Sequence, residues 1–125
     1  MMYPEPDFAV QLREDLPPED TRHVLSLFSG DLQRLTAAIQ AAAEAAQGPA
    51  LRRAAHALAG AAGAVGANAL EQTCRAVMKA ATDTQADLLA NFQAIEAASV
   101  AAGLALERVQ RELAADAASL PRGMA

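Results

Sequence analysis

Roughly a quarter of the 125 residues are alanine, aromatic residues make up 3%, and tryptophan is absent. Alanine loses no side-chain entropy on entering a helix and offers a pleated sheet little to pack. That bias removes most fold classes. An all-β fold is disfavoured by composition, and a disulfide-stapled one by the presence of a single cysteine, Cys74. Helices packed closely through small side chains remain. Hydrophobic residues make up 53% of the chain, enough to bury a core, so wholesale disorder is not expected. The length fits one domain.

Charge and punctuation narrow the class further. The formal net charge is −5 and the isoelectric point is near 4.9, against the basic footprint that sequence-independent nucleic-acid binding needs. Arg52 and Arg53 are adjacent, but two charges do not make a patch. A lone cysteine fits a reducing compartment. The start of the chain, Met1 to Asp7, lacks the basic and apolar regions of a secretory leader. The longest uncharged run, Ala54 to Leu70, is short for a membrane span and contains His56, Asn68 and glycines. A cytoplasmic protein without a membrane segment is expected.

Residues 1–17 read as a proline-rich lead-in with one short helix, docked by Phe8, Val10, Leu12 and Leu16. Pro18, Glu19 and Asp20 suit a helix start. Val24, Leu25, Phe28, Leu32, Leu35 and Ile39 continue that helix at three/four spacing to a stop at Gln47–Gly48–Pro49. Ser29–Gly30–Asp31 is a point where it could kink or divide. A second helix is expected from about Pro49 to Ala64, and a third from Gly66 until Thr82–Asp83–Thr84. Thr84 and Asp87 have the spacing of a capping box. The last helix carries Leu88, Phe92, Ile95, Ser99, Ala102, Leu106, Val109 and Leu113 as one stripe. The expected fold is all-α: an antiparallel four-helix bundle over residues 18–117, with a short N-terminal lead-in helix, a long C-terminal helix and a frayed tail over 118–125. Because the bundle uses that stripe, a monomer is expected.

The chemistry is concentrated around His56. With Leu51 at zero and 100° per residue, Ala54, Ala55, Leu58 and Ala62 fall within about 60° and form the buried stripe. His56 falls at about 140°, on an outer face shared with Arg52, Arg53, Ala59, Gly60 and Gly63. A helical residue at i+4 covers the surface beside residue i, so glycine at 60 leaves the imidazole bare. Each glycine inside a helix costs about 1 kcal/mol relative to alanine, which gives two of them beside one histidine a meaning to seek. Tight packing of a neighbouring helix is one meaning, and clearance for a partner is the other. The only other histidine is His23. No cluster has metal-ligand spacing, and no phosphate-binding glycine loop is present. Glu44 and Glu71, the carboxylates nearest in sequence, do not share the His56 face, so no nucleophile–base pair is expected. An exposed nucleophile without catalytic machinery is what a passive phosphoryl carrier needs, and neutral imidazole is a good nucleophile near neutral pH.

The run from His56 through Leu58, Gly60, Ala61–Ala62, Gly66, Ala67 and Leu70 to Cys74 resembles, in register, the signature of histidine-containing phosphotransfer (HPt) domains. That pattern is His-x-Leu-Lys-Gly, two small residues, Gly-Ala, then Leu and often Cys. The resemblance implies a phosphorelay carrier in two-component signalling. His56 would accept a phosphoryl group from the aspartyl phosphate of one receiver domain and pass it to the aspartate of another. The receiver, including one carried on a hybrid histidine kinase, would supply Mg²⁺ and most of the catalysis. The carrier itself would need no cofactor or metal and would not be an enzyme. Arg52, Arg53, Ala59, Gly60 and Gly63 would form the docking and clearance face, and Leu58, Leu70 and Cys74 would be core.

Two departures stand out. The family's usual Lys is replaced by Ala59, and Met78 stands where relatives often carry a polar residue. Arg75 and Lys79 are the auxiliary charges near at hand. Loss of the Lys motivates a second reading, a non-transferring adaptor that binds and inhibits a receiver domain or kinase. A histidine-kinase fragment is disfavoured, because Ala57 follows the histidine where kinases usually carry an acid.

Overall fold

The structure, a computed structural model, describes residues 7–119 as five helices: α1 (Asp7–Asp15), α2 (Pro18–Glu44), α3 (Gly48–Val65), α4 (Asn68–Lys79) and α5 (Gln85–Ala118). The lead-in through Pro6 and the tail from Leu120 lie outside the described residues. α2 packs on α3 and α5, and α4 closes the ring between α3 and α5. Contacts at the two ends establish the antiparallel course. At one end Gln85 Nε2 donates to the Glu44 carbonyl at 2.8 Å, and Asn91 Nδ2 donates to the Ala81 carbonyl at 3.2 Å. At the other, α1 lies across the start of α2 and the end of α5. The Phe8 ring meets Phe28 edge-on with centroids 5.7 Å apart, and Arg13 is bonded to Glu112 and Asp116. Thr21, buried beneath this crossing, aims its hydroxyl at the Pro17 carbonyl 3.1 Å away.

The stripe expected on the last helix is the buried stripe of α5: Leu88, Phe92, Ile95, Ser99, Ala102, Leu106, Val109 and Leu113 all face the core. The Ser99 hydroxyl is partnered there by Thr36 at 3.2 Å. The α5 start carries the capping box read from sequence, with Asp87 N–H donating to Thr84 Oγ1 at 3.0 Å and Thr84 N–H to Asp87 Oδ2 at 3.2 Å. α5 is long and apolar enough to cross a membrane, with a window of mean hydropathy 1.3. In this fold it is a bundle helix, and its apolar stripe packs on α2 and α4. At Ser29–Gly30–Asp31 the structure differs from a divided helix: α2 runs unbroken. Phe28 and Leu32 are both buried on either side of Gly30, so tertiary packing carries the helix through a locally weak point.

α2 and α3 end in the same motif on different residues. Gln47 N–H donates to the Ala42 carbonyl at 2.8 Å and Ala46 N–H to Ala43 at 3.2 Å, while Ala67 N–H donates to Ala62 at 2.9 Å and Gly66 N–H to Gly63 at 3.3 Å. These are Schellman closures, which require one left-handed residue. Gly66 supplies it at φ 82°, whereas Ala46 is forced to φ 57°. A left-handed alanine costs roughly 1–2 kcal/mol. Ala46→Gly is therefore expected to stabilise the protein by roughly 0.5–1 kcal/mol, and Gly66→Ala to destabilise it by at least as much, in paired denaturant titrations.

Candidate functional site

α3 is a run of alanines opened by Pro49 in its first turn and closed by Gly66. Its buried residues are Gly48, Leu51, Ala55, Leu58, Ala59 and Ala62. Ala59, expected on the outer face, is only 1% exposed, which removes it from the clearance surface. The cause is tertiary. α3 is packed on two sides, by α2 and by α4. Its buried arc is therefore centred about 30° from Leu51 toward the α4 side, which takes in Ala59 and leaves Ala54 half-exposed.

His56 stays outside that arc, exposed at the middle of α3. Among the described residues its imidazole makes no side-chain hydrogen bond. The two glycines on its face differ. A Cβ on Gly60 would meet nothing within 4 Å, so the space one turn from the ring is open. A Cβ on Gly63 would lie 3.1 Å from the Glu71 carboxylate carbon. Gly63 is thus a seat for Glu71 rather than open clearance, and Glu71 does reach the edge of the His56 face. Gly63 lies two turns from His56, roughly 10 Å along the axis, so Glu71 is no general base for the ring.

The surrounding cations are also placed. Arg52 leans toward the N-terminus of α3 and donates to the Ala80 carbonyl at 3.4 Å, at the C-terminal end of α4. Arg53 is exposed. Arg75 is held by Glu71, with Nε at 3.0 Å and a terminal nitrogen at 2.7 Å from the same carboxylate oxygen. Lys79 is exposed, with no carboxylate within 4.0 Å among the described residues. Met78 packs partly buried against the core. No group of metal-ligating side chains is found among the described residues.

His56 is thus a solvent-facing imidazole on a bundle helix, with no side chain hydrogen-bonded to it among the described residues. The family model described as Hpt domain matches residues 23–119. The chain belongs to the Hpt family. No curated protein and no solved structure matches it. The matched span begins inside α2 and covers α3, α4 and α5, so the Hpt domain is the four-helix bundle itself, with α1 an addition across one end. Hpt domains serve histidine phosphotransfer in two-component signalling, as carriers that interact with receiver domains.

Two features of this Hpt domain give direct expectations. Gly60→Ala adds a methyl to open space and gains helix propensity, so it is expected to stabilise the free protein by roughly 0.5–1 kcal/mol in a thermal melt. Cys74 is fully buried, and burial pushes its thiol up to about 11 against a weaker opposing pull from Arg75. The folded thiol holds its proton where the unfolded one, at 9.0, has lost it. The resulting stability is intact below pH 9.0 and lost as pH rises toward about 11. Denaturant titrations are expected to show Cys74→Ala losing less stability than the wild type across that interval.

Proposed function

We propose that this Hpt domain carries a phosphoryl group on His56 between receiver-domain aspartates in a phosphorelay. The observation that carries the reading is the exposed His56 at the centre of α3 with open space over Gly60. An unprotonated imidazole nitrogen attacks the phosphorus of an aspartyl phosphate. The N–P bond forms, the P–O bond to the carboxyl breaks, and the aspartate carboxylate leaves with the electron pair. The proton remaining on the second ring nitrogen passes to water. Return transfer to another receiver reverses these steps. The bundle contributes position, and the receiver contributes Mg²⁺ and the groups that neutralise the transferring charge. Arg52, Arg53, Gly60 and the neighbouring surface form the docking face, with Gly60 admitting the receiver's loops. The protein acts as a cytoplasmic monomer, is not itself an enzyme, and takes no cofactor of its own.

The test is phosphotransfer profiling against the host's receiver domains, each charged with acetyl phosphate. Acid-labile, alkali-stable label on His56, located by mass spectrometry, is the expected result. No label from any receiver overturns the reading. A complex that forms without transfer replaces it with the inhibitory adaptor.

A further inference from the structure

α5 leaves much of its apolar surface in water. Only 33% of its most apolar 18-residue window is buried. Two of the four exposed large hydrophobic side chains among the described residues, Val100 and Leu104, stand one turn apart on it. They border a groove of about 470 Å³ between α2 and α5, with the buried Leu32 and Leu106 beneath. The Thr36 and Ser99 hydroxyls in the same lining partner each other at 3.2 Å, which leaves the floor to apolar contact. Gly103 also lines the groove, and a Cβ there would make only ordinary contact with Leu32 Cδ2 at 3.8 Å. Glycine weakens a helix interior relative to alanine, and close packing of α5 on α2 does not require it here. Its missing side chain keeps the groove open.

Charge and geometry specify the occupant. Among the described residues the charged side chains lining the groove are Glu96 and Glu107, and neither has a cation within 4.0 Å. They are three turns apart, about 16 Å along α5, with Val100 and Leu104 between them. α2 adds no charge to the lining. Both walls are continuous helices whose backbone groups are spent internally, so there is no edge for strand addition and a ligand must present side chains. An amphipathic helix does so. Apolar side chains one turn apart would enter beside Val100 and Leu104, and cationic side chains at i and i+11 share that face and meet the two carboxylates. A second copy of this chain is a poorer match, because two chains of net charge −5 repel.

We propose that the α2–α5 groove is a second docking site, for a basic amphipathic helix of a partner protein. It lies across the bundle from the phosphoryl acceptor. α3, which carries His56, packs on α2 and α4, and Glu71 of α4 borders the His56 face. The groove therefore holds a partner while the His56 face stays open to a receiver. The proposal does not rest on the carrier reading and stands whether or not His56 takes up phosphate.

The test uses the full chain and a fluorescein-labelled, alanine-rich helical peptide of about 18 residues. The peptide carries two leucines one turn apart between two lysines at i and i+11, and a control peptide has glutamates in place of the lysines. Fluorescence anisotropy is expected to show the lysine peptide saturating below about 1 mM and the glutamate peptide not binding. Leu104→Ala is expected to weaken binding at least about fivefold, the threshold of an anchoring residue. Glu96→Gln and Glu107→Gln are each expected to weaken it about two- to fivefold, the size of an exposed ion pair, and by less at high salt. Leu27→Ala, exposed but outside the groove, is expected to bind like the wild type. Thermal melts confirm that each variant is folded. No saturation, equal affinity for the two peptides, or equal affinity in Leu104→Ala and the wild type overturns the proposal. Self-association of the chain alone in analytical ultracentrifugation, lost in Leu104→Ala, overturns it in favour of a second copy in the groove.

Discussion

His56→Gln is expected to remove all phosphoryl label delivered by a charged receiver while leaving the fold intact. The two halves of this prediction rest on different observations. His56 is exposed and makes no side-chain hydrogen bond among the described residues, so its replacement is expected to change stability by no more than about 0.5 kcal/mol. The loss of label is complete because a carrier is not a catalyst with a residual rate. In the proposed transfer the His56 nitrogen is the atom that becomes bonded to phosphorus, and glutamine has no nitrogen of that nucleophilicity. His23 is no substitute. It sits in the second turn of α2, near the end of the bundle crossed by α1, whereas His56 is at the middle of α3. His23→Gln is accordingly expected to transfer like the wild type. Label intensity by mass spectrometry, beside a thermal melt for each variant, checks both. Persistent label in His56→Gln would place the acceptor elsewhere.

How much of this site could be read in advance follows from what a single helix can and cannot reveal. The α5 stripe was legible because period and burial agree over the whole helix, and the α5 start because Thr84 and Asp87 carry their cap in their own side chains. The exposure of His56 was legible because its position lies well outside any plausible buried arc of α3. Ala59 was not. It lies at the margin of the arc, and only the arrival of α4 beside α3 determines whether such a margin is covered. Gly63 illustrates the same limit from the other side. A projection of α3 alone leaves it open, but a side chain from α4 occupies the space. A signal for that contact was present. The tight turn at Gly66–Ala67 fixes the register of α3 on α4, and Glu71 and Arg75 have i,i+4 spacing. At Ala46 no signal existed, because alanine carries no mark of a left-handed residue. The unbroken α2 failed in the opposite sense: the local glycine was real, and packing of Phe28 and Leu32 outweighed it.

The largest stability effect is expected from Leu58→Ala, about 3–5 kcal/mol, the upper part of the range for a buried leucine. Leu58 has no exposed surface and lies two residues from His56 on the buried side of α3. Three of its companions on that arc, Ala55, Ala59 and Ala62, are methyl groups on a helix that cannot move inward to fill a void. A cavity left there collapses poorly, and residual cavity volume is what separates costly truncations from mild ones. Nine of the 26 buried apolar residues among those described are alanines, so the buried Leu, Ile, Val and Phe side chains supply most of the apolar area removed from water. Against a total of about 5–15 kcal/mol for a domain of this size, the loss lowers the melting temperature on the order of 10 °C or more. Leu104→Ala is the control: at 62% exposure on α5 it is expected to change stability by no more than about 0.5 kcal/mol. The prediction separates scaffold from chemistry. Below its melting temperature Leu58→Ala is expected still to accept phosphoryl label on His56, because the nucleophile and the open space at Gly60 are unchanged. Tolerance of Leu58→Ala within about 1 kcal/mol would mean that the small residues of α3 leave room for repacking, contrary to close helix contact as the basis of this fold.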